Sequence, residues 1–475
     1  MFAMNHALPR IAAVGALITL AGCASFSSDG GFGAVERTTR ERIAKDVLRA
    51  QTDADRDAIV ARVAALLAKP LSADDAVQVA LLNNRGLQAS FAELGIAEAE
   101  LVQSGRLPNP RFSMLRASKA ENGGREYKIE QALTINVFAL VTMPLAMEME
   151  RRRFASVQQQ IAIDVLRLAS DTRKAYVMAV AADEAVRYLR QVQSVAAASA
   201  ELARRMAQVG NWSKLNQARE QGFYADAALN VARAERSQNS AREQLTRLLG
   251  LWGEQIAFKL PERLPDLPKE AADLPDIEER AMAERLDLRA VRTQTEALAK
   301  NLGLTKATRF LNVLEFGPAR VLEGERNAAY KRGYEISFEI PIFDWGSSRV
   351  AKAESIYMQA VDRAAAQAIN ARSEVRESYR GYRTAFDIAL HYRDEVVPIR
   401  KRIADENLLR YNGMLIGVFD LLADARSQIA SVNSYIESLR DFWLADADLQ
   451  MARIGKPTAM LAPTAAMAQP EAAGH

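Results

Sequence analysis

Residues Glu284-Arg285-Leu286-Asp287-Leu288-Arg289-Ala290 echo Asn83-Asn84-Arg85-Gly86-Leu87-Gln88-Ala89, about 200 positions earlier in the 475-residue chain. The order around each copy repeats as well: a helix, two alternating stretches, a very long helix, a tight break and a second helix. Self-similarity at such a period decides an architecture before any single motif does.

In the first copy, Ser72 precedes Ala73-Asp74-Asp75-Ala76, an N-cap followed by acidic residues in a first helical turn. Val77, Leu81, Leu82, Leu87, Phe91, Leu94, Ala97 and Leu101 continue one helical face as far as the stop at Pro108-Asn109-Pro110. From Tyr127 to Val137 the period changes to two. Ile129, Leu133, Ile135 and Val137 share a face with Gln131, while Lys128, Glu130, Ala132, Thr134 and Asn136 take the other. Arg111–Arg116 is a weaker strand, and Ser118 to Arg125 has loop chemistry, so the pair reads as a hairpin.

Between about Met147 and Met206 there is neither Gly nor Pro. A helix of roughly 60 residues would be about 90 Å long, longer than any compact domain. Val209-Gly210-Asn211-Trp212-Ser213 breaks it, and a second helix runs from Lys214 to about Leu249. Pro261, Pro265, Pro268 and Pro275 mark a linker. In the second copy, strands are expected around Phe310–Phe316 and Tyr334–Ile342. Tyr334, Ile336, Phe338, Ile340 and Ile342 oppose Glu335, Ser337 and Glu339. Gly346 opens a helix lasting to about Tyr411, which Pro398 should kink. Asn412-Gly413 interrupts it, and Gly417-Val418-Phe419-Asp420 opens a last helix to about Ile454. The tail after Pro457, of Ala, Pro, Met and Thr, has the composition of a disordered segment.

Hairpins with one apolar and one polar face do not stand alone in water. Apolar-out, polar-in strands of about ten residues are the signature of a membrane β-barrel, and about eight strands is the practical minimum for closure. Four strands therefore need an oligomer, and three copies would supply twelve. A soluble sheet covered by helices is the alternative. The long helices argue against it, because no globular core has that length. Their runs of Ala mixed with charge, as in Asp362-Arg363-Ala364-Ala365-Ala366, suit helices that pair closely and stay wet on one side.

Composition removes other classes. Lys and Arg total 62 against 59 Asp and Glu, a balance of +3 that argues against bulk nucleic-acid binding. One cysteine precludes an intrachain disulfide or a Cys-rich zinc site. Of the three histidines, His6 lies in the leader region and His475 is terminal, leaving His391 for the body. No Gly-x-Ser-x-Gly and no phosphate-binding Gly-rich loop occurs. An enzyme is the minority reading, and no cofactor or metal is implied.

Arg10 is followed by an apolar run from Ile11 to Ala21, then Leu20-Ala21-Gly22-Cys23. The run has signal-peptide length and is too short to span a bilayer. Its end resembles a bacterial lipobox, which implies lipidation at Cys23. Ala24, not Asp, follows, which by the same resemblance favours the outer membrane. No other stretch is apolar for 18 residues, so no transmembrane helix is expected.

Several stretches together resemble the TolC family of outer-membrane efflux proteins, in its lipoprotein form. They are Leu71-Ser72-Ala73-Asp74-Asp75-Ala76 through Leu81 with Asn83-Asn84, and Gln103-Ser104-Gly105-Arg106-Leu107-Pro108-Asn109-Pro110. Ile340-Pro341-Ile342-Phe343-Asp344-Trp345-Gly346, Arg410-Tyr411-Asn412-Gly413 and Gly417-Val418-Phe419-Asp420-Leu421-Leu422 complete the set. The first copy departs from the pattern: Val141-Thr142-Met143-Pro144-Leu145-Ala146 has no Asp-x-Gly after its Pro.

The resemblance implies a mainly α fold with a small β part, trimerising into a twelve-stranded membrane barrel and a periplasmic α-helical barrel. It implies an exit duct docking on a periplasmic adaptor joined to an inner-membrane pump, anchored among outer-membrane lipids, with no nucleic-acid partner. The organisation is then a signal peptide (1–22), a lipidated tether and linker (23–70), a first repeat (71–255), a Pro-rich linker (256–275), a second repeat (276–456) and a tail (457–475). Adaptor contact is expected at the turns, from Val209, Gly210, Asn211 and Trp212 and from Asn412, Gly413, Met414 and Gly417. Gly and Asn there also suit the left-handed geometry of a tight turn. Asp420, with Asp424 one residue out of the family's register, is expected at a periplasmic aperture, where threefold symmetry would make a cation-attracting ring. Helix capping is the plain alternative for Asp420. Arg151-Arg152-Arg153 reads as a solvated helix face and His391 as a helix-surface residue. A periplasmic adaptor or a structural coiled-coil lipoprotein is the competing reading; adaptors carry many short strands that this chain lacks. The cargo, whether metal, drug or solvent, is not legible.

Overall fold

A computed structural model describes residues 25–121, 124–310 and 313–457. In chain order the elements are α1 (Phe32–Ile43), α2 (Asp53–Leu67), α3 (Ala73–Asn83), α4 (Arg85–Ser104), β1 (Arg111–Glu121) and β2 (Gly124–Asn136). Then come α5 (Val137–Gln208), α6 (Lys214–Leu249), α7 (Ile277–Glu284), α8 (Leu286–Ala307), β3 (Leu314–Gly324) and β4 (Lys331–Phe338). The last are α9 (Ser347–His391), α10 (Val397–Asn412) and α11 (Val418–Ala452). The protein is mainly helical with one small sheet, and the order of elements repeats as the sequence indicated. The tail from 458 lies outside the described residues.

The described residues divide into two compact units: those within 25–38, 88–162 and 286–368 form one, and those within 39–87, 163–285 and 369–457 the other. The first holds the sheet, strands in the order β1-β2-β3-β4, every neighbouring pair antiparallel. The second holds the main hydrophobic core, where Val79, Leu82, Val180, Leu245, Leu249, Phe386 and Phe442 cluster.

Several boundaries differ from the sequence reading, each for a physical reason. The helix expected to run unbroken from Ser72 stops at Asn83 and restarts at Arg85. Asn84 leaves the helical conformation, and the two amides are used elsewhere. Asn83 Nδ2 donates to the carbonyls of Leu249 and Gly250 at 3.1 and 2.8 Å, and Asn84 Nδ2 to that of Leu248 at 2.9 Å. These carbonyls end α6 and have no intrahelical partner. Gly250 itself is left-handed, and a Cβ there would lie 2.7 Å from the Asn83 carbonyl oxygen, so glycine is required.

The second repeat solves the same problem with charge. Arg285 breaks α7 from α8, is 0% exposed, and donates from Nη1 to the carbonyls of Ala371 and Ala452. Its Nη2 meets Glu374 at 2.8 Å. Ala452 is the last residue of α11, so Arg285 closes the final helix of its repeat as the Asn pair closes α6.

The loop expected over Ser118 to Arg125 is mostly strand, because β1 and β2 pair out to Glu121 and Gly124. Likewise β3 continues past Phe316 through Gly317-Pro318. A Cβ at Gly317 would sit 1.9 Å from the Leu133 carbonyl oxygen, so the glycine allows the close backbone approach. Helix α5 begins at Val137, ten residues before the Met147 expected, and contains Pro144. The Asn136 side chain accepts from the Ala139 N–H at 2.9 Å and starts the helix. At Pro398 the long helix of the second repeat is interrupted by one π turn, Tyr392–Val396, which accommodates the missing donor.

Nor is the described part of the expected tether and linker, residues 25–70, only a tether. It forms α1 and α2, and the stretch from Ser27 to Gly33 is held in place. The Ser27 N–H donates to Glu98 at 2.6 Å, Gln158 Nε2 donates to the Gly31 carbonyl at 2.8 Å, and Phe32 meets Phe91 edge-on at 5.0 Å.

Arg285→Met should be strongly destabilising, by about 3 kcal/mol, because it strands Glu374 and two carbonyls. Asn84→Ala should cost about 1 kcal/mol. Thermal unfolding midpoints of the purified protein check both, and equal losses would contradict the difference between a charged and a neutral cap.

Candidate functional site

The sheet sorts its side chains by chemistry. The register places Phe112, Met114, Arg116, Ile129, Gln131, Leu133, Ile135, Leu314, Phe316, Pro318, Arg320, Leu322, Arg332, Tyr334, Ile336 and Phe338 on one face. No Asp or Glu stands on it among the described residues of the four strands. The opposite face carries Ser113, Ala132, Thr134, Gly317, Ala319 and Ser337 with Glu126, Glu130, Glu315, Glu323 and Glu335. Its ion pairs stay on that face: Lys128 to Glu130 at 2.8 Å, Arg111 to Glu315 at 3.2 Å and Lys331 to Glu323 at 3.4 Å.

Exposure inverts what a soluble sheet would show. Phe112, Leu133, Phe316, Tyr334, Ile336 and Phe338 are exposed, whereas Ala132 and Thr134 are buried. Such an apolar patch marks an interaction with something other than water. Two residues depart from this: Leu115 is an exposed leucine on the polar face, and Leu322 on the apolar face is buried. No described helix is long and apolar enough to cross a membrane.

The two helix-to-helix turns differ from each other. At the first, α5 ends and the N–H groups of Asn211 and Trp212 both turn back to the Met206 carbonyl, at 2.9 and 3.3 Å. Gly210 takes the left-handed conformation with φ 77° and open space around it, Val209 is exposed, and Ser213 caps α6 by accepting from Asn216 N–H. One turn earlier, hydrogen bonds from Arg204 and then Arg205 hold the Glu201 carboxyl down at about 2. That contribution is present at neutral pH and is lost only as the pH falls toward that value.

At the second turn neither glycine is left-handed. Gly413 has φ −81° and Gly417 has φ −79°, so the expectation that glycine and asparagine supply the turn geometry fails here. Met414 does so instead, with φ 61° and a side chain 93% exposed, and Leu415 beside it is exposed too. The Met414 and Leu415 N–H groups donate to the carbonyls of Tyr411 and Arg410 at 2.9 and 2.8 Å. Asn412 ends α10 and is exposed.

Asp420 accepts from the Gly417 N–H at 3.2 Å and so caps α11. Asp424 accepts from the side-chain amide of Asn407, which ties α10 to α11. The described residues thus give each acid a structural partner within the chain. Cys23 lies outside the described residues.

Sequence reasoning missed one buried polar junction. Glu220 on α6, 2% exposed, accepts from Ser199 on α5 at 2.7 Å and from Arg426 on α11 at 2.6 Å. The Arg426 guanidinium also lies 4.3 Å from the Phe223 ring centre. Three helices meet in this one carboxylate. Only the pairing across 206 positions reveals it, and no local pattern could.

Arg151, Arg152 and Arg153 are all ion-paired, to Glu148, Glu296, Glu100 and Glu150, as a solvated charged face would be. His391 is an exposed helix residue with Nδ1 3.3 Å from Glu395. No group of three or more His, Cys, Asp or Glu that could hold a metal occurs among the described residues.

Comparison with known proteins gives the fold an outside measure. No protein-family model matches the chain. The cobalt-zinc-cadmium resistance protein CzcC of Cupriavidus metallidurans is 25% identical over 293 residues, 58% of this chain and 64% of its own length. The match therefore spans just under two thirds of that relative. Crystal structures of CusC, described in terms of transmembrane channel formation, superpose with a TM-score of 0.66 at 18% identity, covering 81% of this chain and 92% of theirs. The CmeC outer membrane channel of Campylobacter jejuni gives 0.66 at 18% identity, covering 80% and 85%. The chain has the fold of outer-membrane channels, and the resemblance to the TolC family read from the sequence stands.

Two substitutions test the turn geometries. Met414→Gly should stabilise the second turn by about 1 kcal/mol, because a left-handed non-glycine residue is strained. Gly210→Ala should destabilise the first by a similar amount, roughly 1 kcal/mol. Amide hydrogen exchange over 205–216 and 409–421 reads both, and a slower exchange on Gly210→Ala would contradict the assignment.

Proposed function

We propose that this chain is the outer-membrane exit duct of a tripartite efflux system. The carrying observation is the two-faced sheet: apolar side chains stand exposed on one face, and small and charged residues, with every strand carboxylate among the described residues, line the other. Four strands with such faces are a segment of a barrel wall, apolar toward lipid and polar toward a water-filled interior. A homotrimer completes twelve strands and removes the open edges. The long helices of the three copies form an α-helical barrel in the periplasm. The likeness in fold to CusC and CmeC supports this reading.

The function needs passage and no bond chemistry. Once the wall closes, the face bearing Glu130, Glu315, Glu323 and Glu335 lines the channel; Lys128, Arg111 and Lys331 pair with the first three, so the lining is charged and wet with a small acidic excess that includes Glu335. The partial likeness to CzcC, whose name states resistance to cobalt, zinc and cadmium, favours metal cations as cargo. The turns at Val209–Trp212 and Asn412–Gly417 contact a periplasmic adaptor, which couples the duct to an inner-membrane pump. Met414 and Leu415 give the second turn an apolar tip suited to such docking. Asp420, three to a trimer, rings the periplasmic aperture alongside its capping role, with Asp424 one turn further along. Lipid on Cys23 anchors the N-terminus to the outer membrane, since several acyl chains hold where one is marginal.

Protein extracted from outer membranes should have the mass of a trimer in detergent and conduct in planar bilayers. Asp420→Ala should weaken block by divalent cations without abolishing conductance. A monomer without conductance would overturn the duct and favour a structural lipoprotein. Unchanged cation block would remove Asp420 from the aperture and leave the duct intact.

A further inference from the structure

The lipid-facing side of the sheet is not apolar throughout. Arg320 on β3 and Arg332 on β4 stand directly opposite each other in the register, both exposed, on the face that holds no carboxylate. Like charges directly opposed across an antiparallel pair destabilise it. Natural sheets relieve this with a carboxylate neighbour, and neither guanidinium has one among the described residues. The carboxylates of β3 and β4 all point to the other face.

The surroundings hold one guanidinium in place without neutralising it. Arg320 Nε donates to Gln131 Oε1 at 2.6 Å, and its guanidinium carbon lies 5.1 Å from the Tyr330 ring centre. Both contacts leave its terminal nitrogens as donors with the full positive charge. The next register step along the same face is Leu133, Pro318 and Tyr334, followed by Ile135, Phe316 and Ile336. A paired cation therefore sits at the hairpin-turn side of the exposed apolar band, with only the Ile129–Leu322 row, whose Leu322 is buried, between it and the turn, an arrangement that matches a lipid with its headgroup at one end and its chains along the other.

We infer that Arg320 and Arg332 bind the phosphate of a lipid headgroup whose acyl chains lie along Leu133, Phe316 and Ile336. The inference rests on the reading of this sheet as part of a membrane barrel. Two forked guanidinium groups suit phosphate oxygens, and the anion removes the repulsion between them. The bound lipid is then a part of the outer wall, bridging β3 and β4 at the end where their hairpin turns.

The test uses the full-length protein in detergent, native mass spectrometry, and two probes: bisphosphorylated lipid A and the same glycolipid lacking both phosphates. The phosphorylated form should be retained in preference. An Arg320→Gln, Arg332→Gln double variant should lose that retention by roughly ten-fold or more, the size expected for charge-assisted hydrogen bonds. A Lys128→Gln, Lys331→Gln variant, altered on the opposite face, should keep it. Equal binding of the two lipids by the unmodified protein overturns the inference whether or not the variant folds. Full displacement of the lipid by excess inorganic phosphate overturns it too, assigning the pair to a free anion. Conductance of the same preparation separates the two readings. A conducting protein with no phosphate preference keeps the duct and loses the lipid site, whereas a protein that never enters bilayers loses both.

Discussion

Four antiparallel strands present a face of exposed Phe, Tyr, Leu and Ile, and no element of the same chain is needed to explain why that face is apolar. Burying each large side chain is worth about 1.5–3 kcal/mol, so leaving seven or eight in water is a standing cost. The same four strands leave edges at β1 and β4 with unpaired backbone groups. In the barrel we propose, closure with further copies would settle the edges and hydrocarbon would settle the face. In that proposed setting the segregation of every described strand carboxylate onto the opposite face follows from the same constraint, because a carboxylate facing lipid would be unpaired and desolvated.

The duplication shows how one structural need is met by unlike chemistry. Each repeat breaks its first helix at an equivalent place, Asn84 or Arg285, and each uses the residues there to satisfy the last carbonyls of its final helix. The neutral amides of Asn83 and Asn84 sit partly buried. Arg285 is fully buried and needs Glu374 as a counter-charge, so the second junction carries more risk when one partner is lost. The short sequence echo at these positions preserves the place of the break and little of its chemistry.

Periodicity made the long helices, the strand faces and the repeat legible. It could not place boundaries where one residue serves two purposes. Gly317-Pro318 reads as a strand end, yet the missing side chain permits the approach to Leu133 and the strand continues. Ser118 to Arg125 reads as a loop from its composition, but cross-strand pairing holds it extended. Pro144 suggests a later helix start, while Asn136 caps an earlier one. The Glu220 junction was beyond reach because its partners come from three helices. The two helix-to-helix turns lie where the sequence placed them, but the geometry of the second was not legible, since Met414 rather than a glycine takes the positive φ.

That last point bears on why the two turns are unlike. Gly210 makes the first turn without strain, and its neighbours are tied back to Met206. At the second, Gly413 lies one residue before the position that would use it, and Met414 accepts the left-handed conformation at a cost of about 1 kcal/mol. A turn built only for stability would place glycine at 414. Keeping a long, flexible, nearly fully exposed thioether there, with exposed Leu415 beside it, is uneconomical for the isolated chain. Strain held at an exposed apolar residue argues from the outlier to a use for the side chain, and an unbranched methionine suits a surface that must fit against another protein.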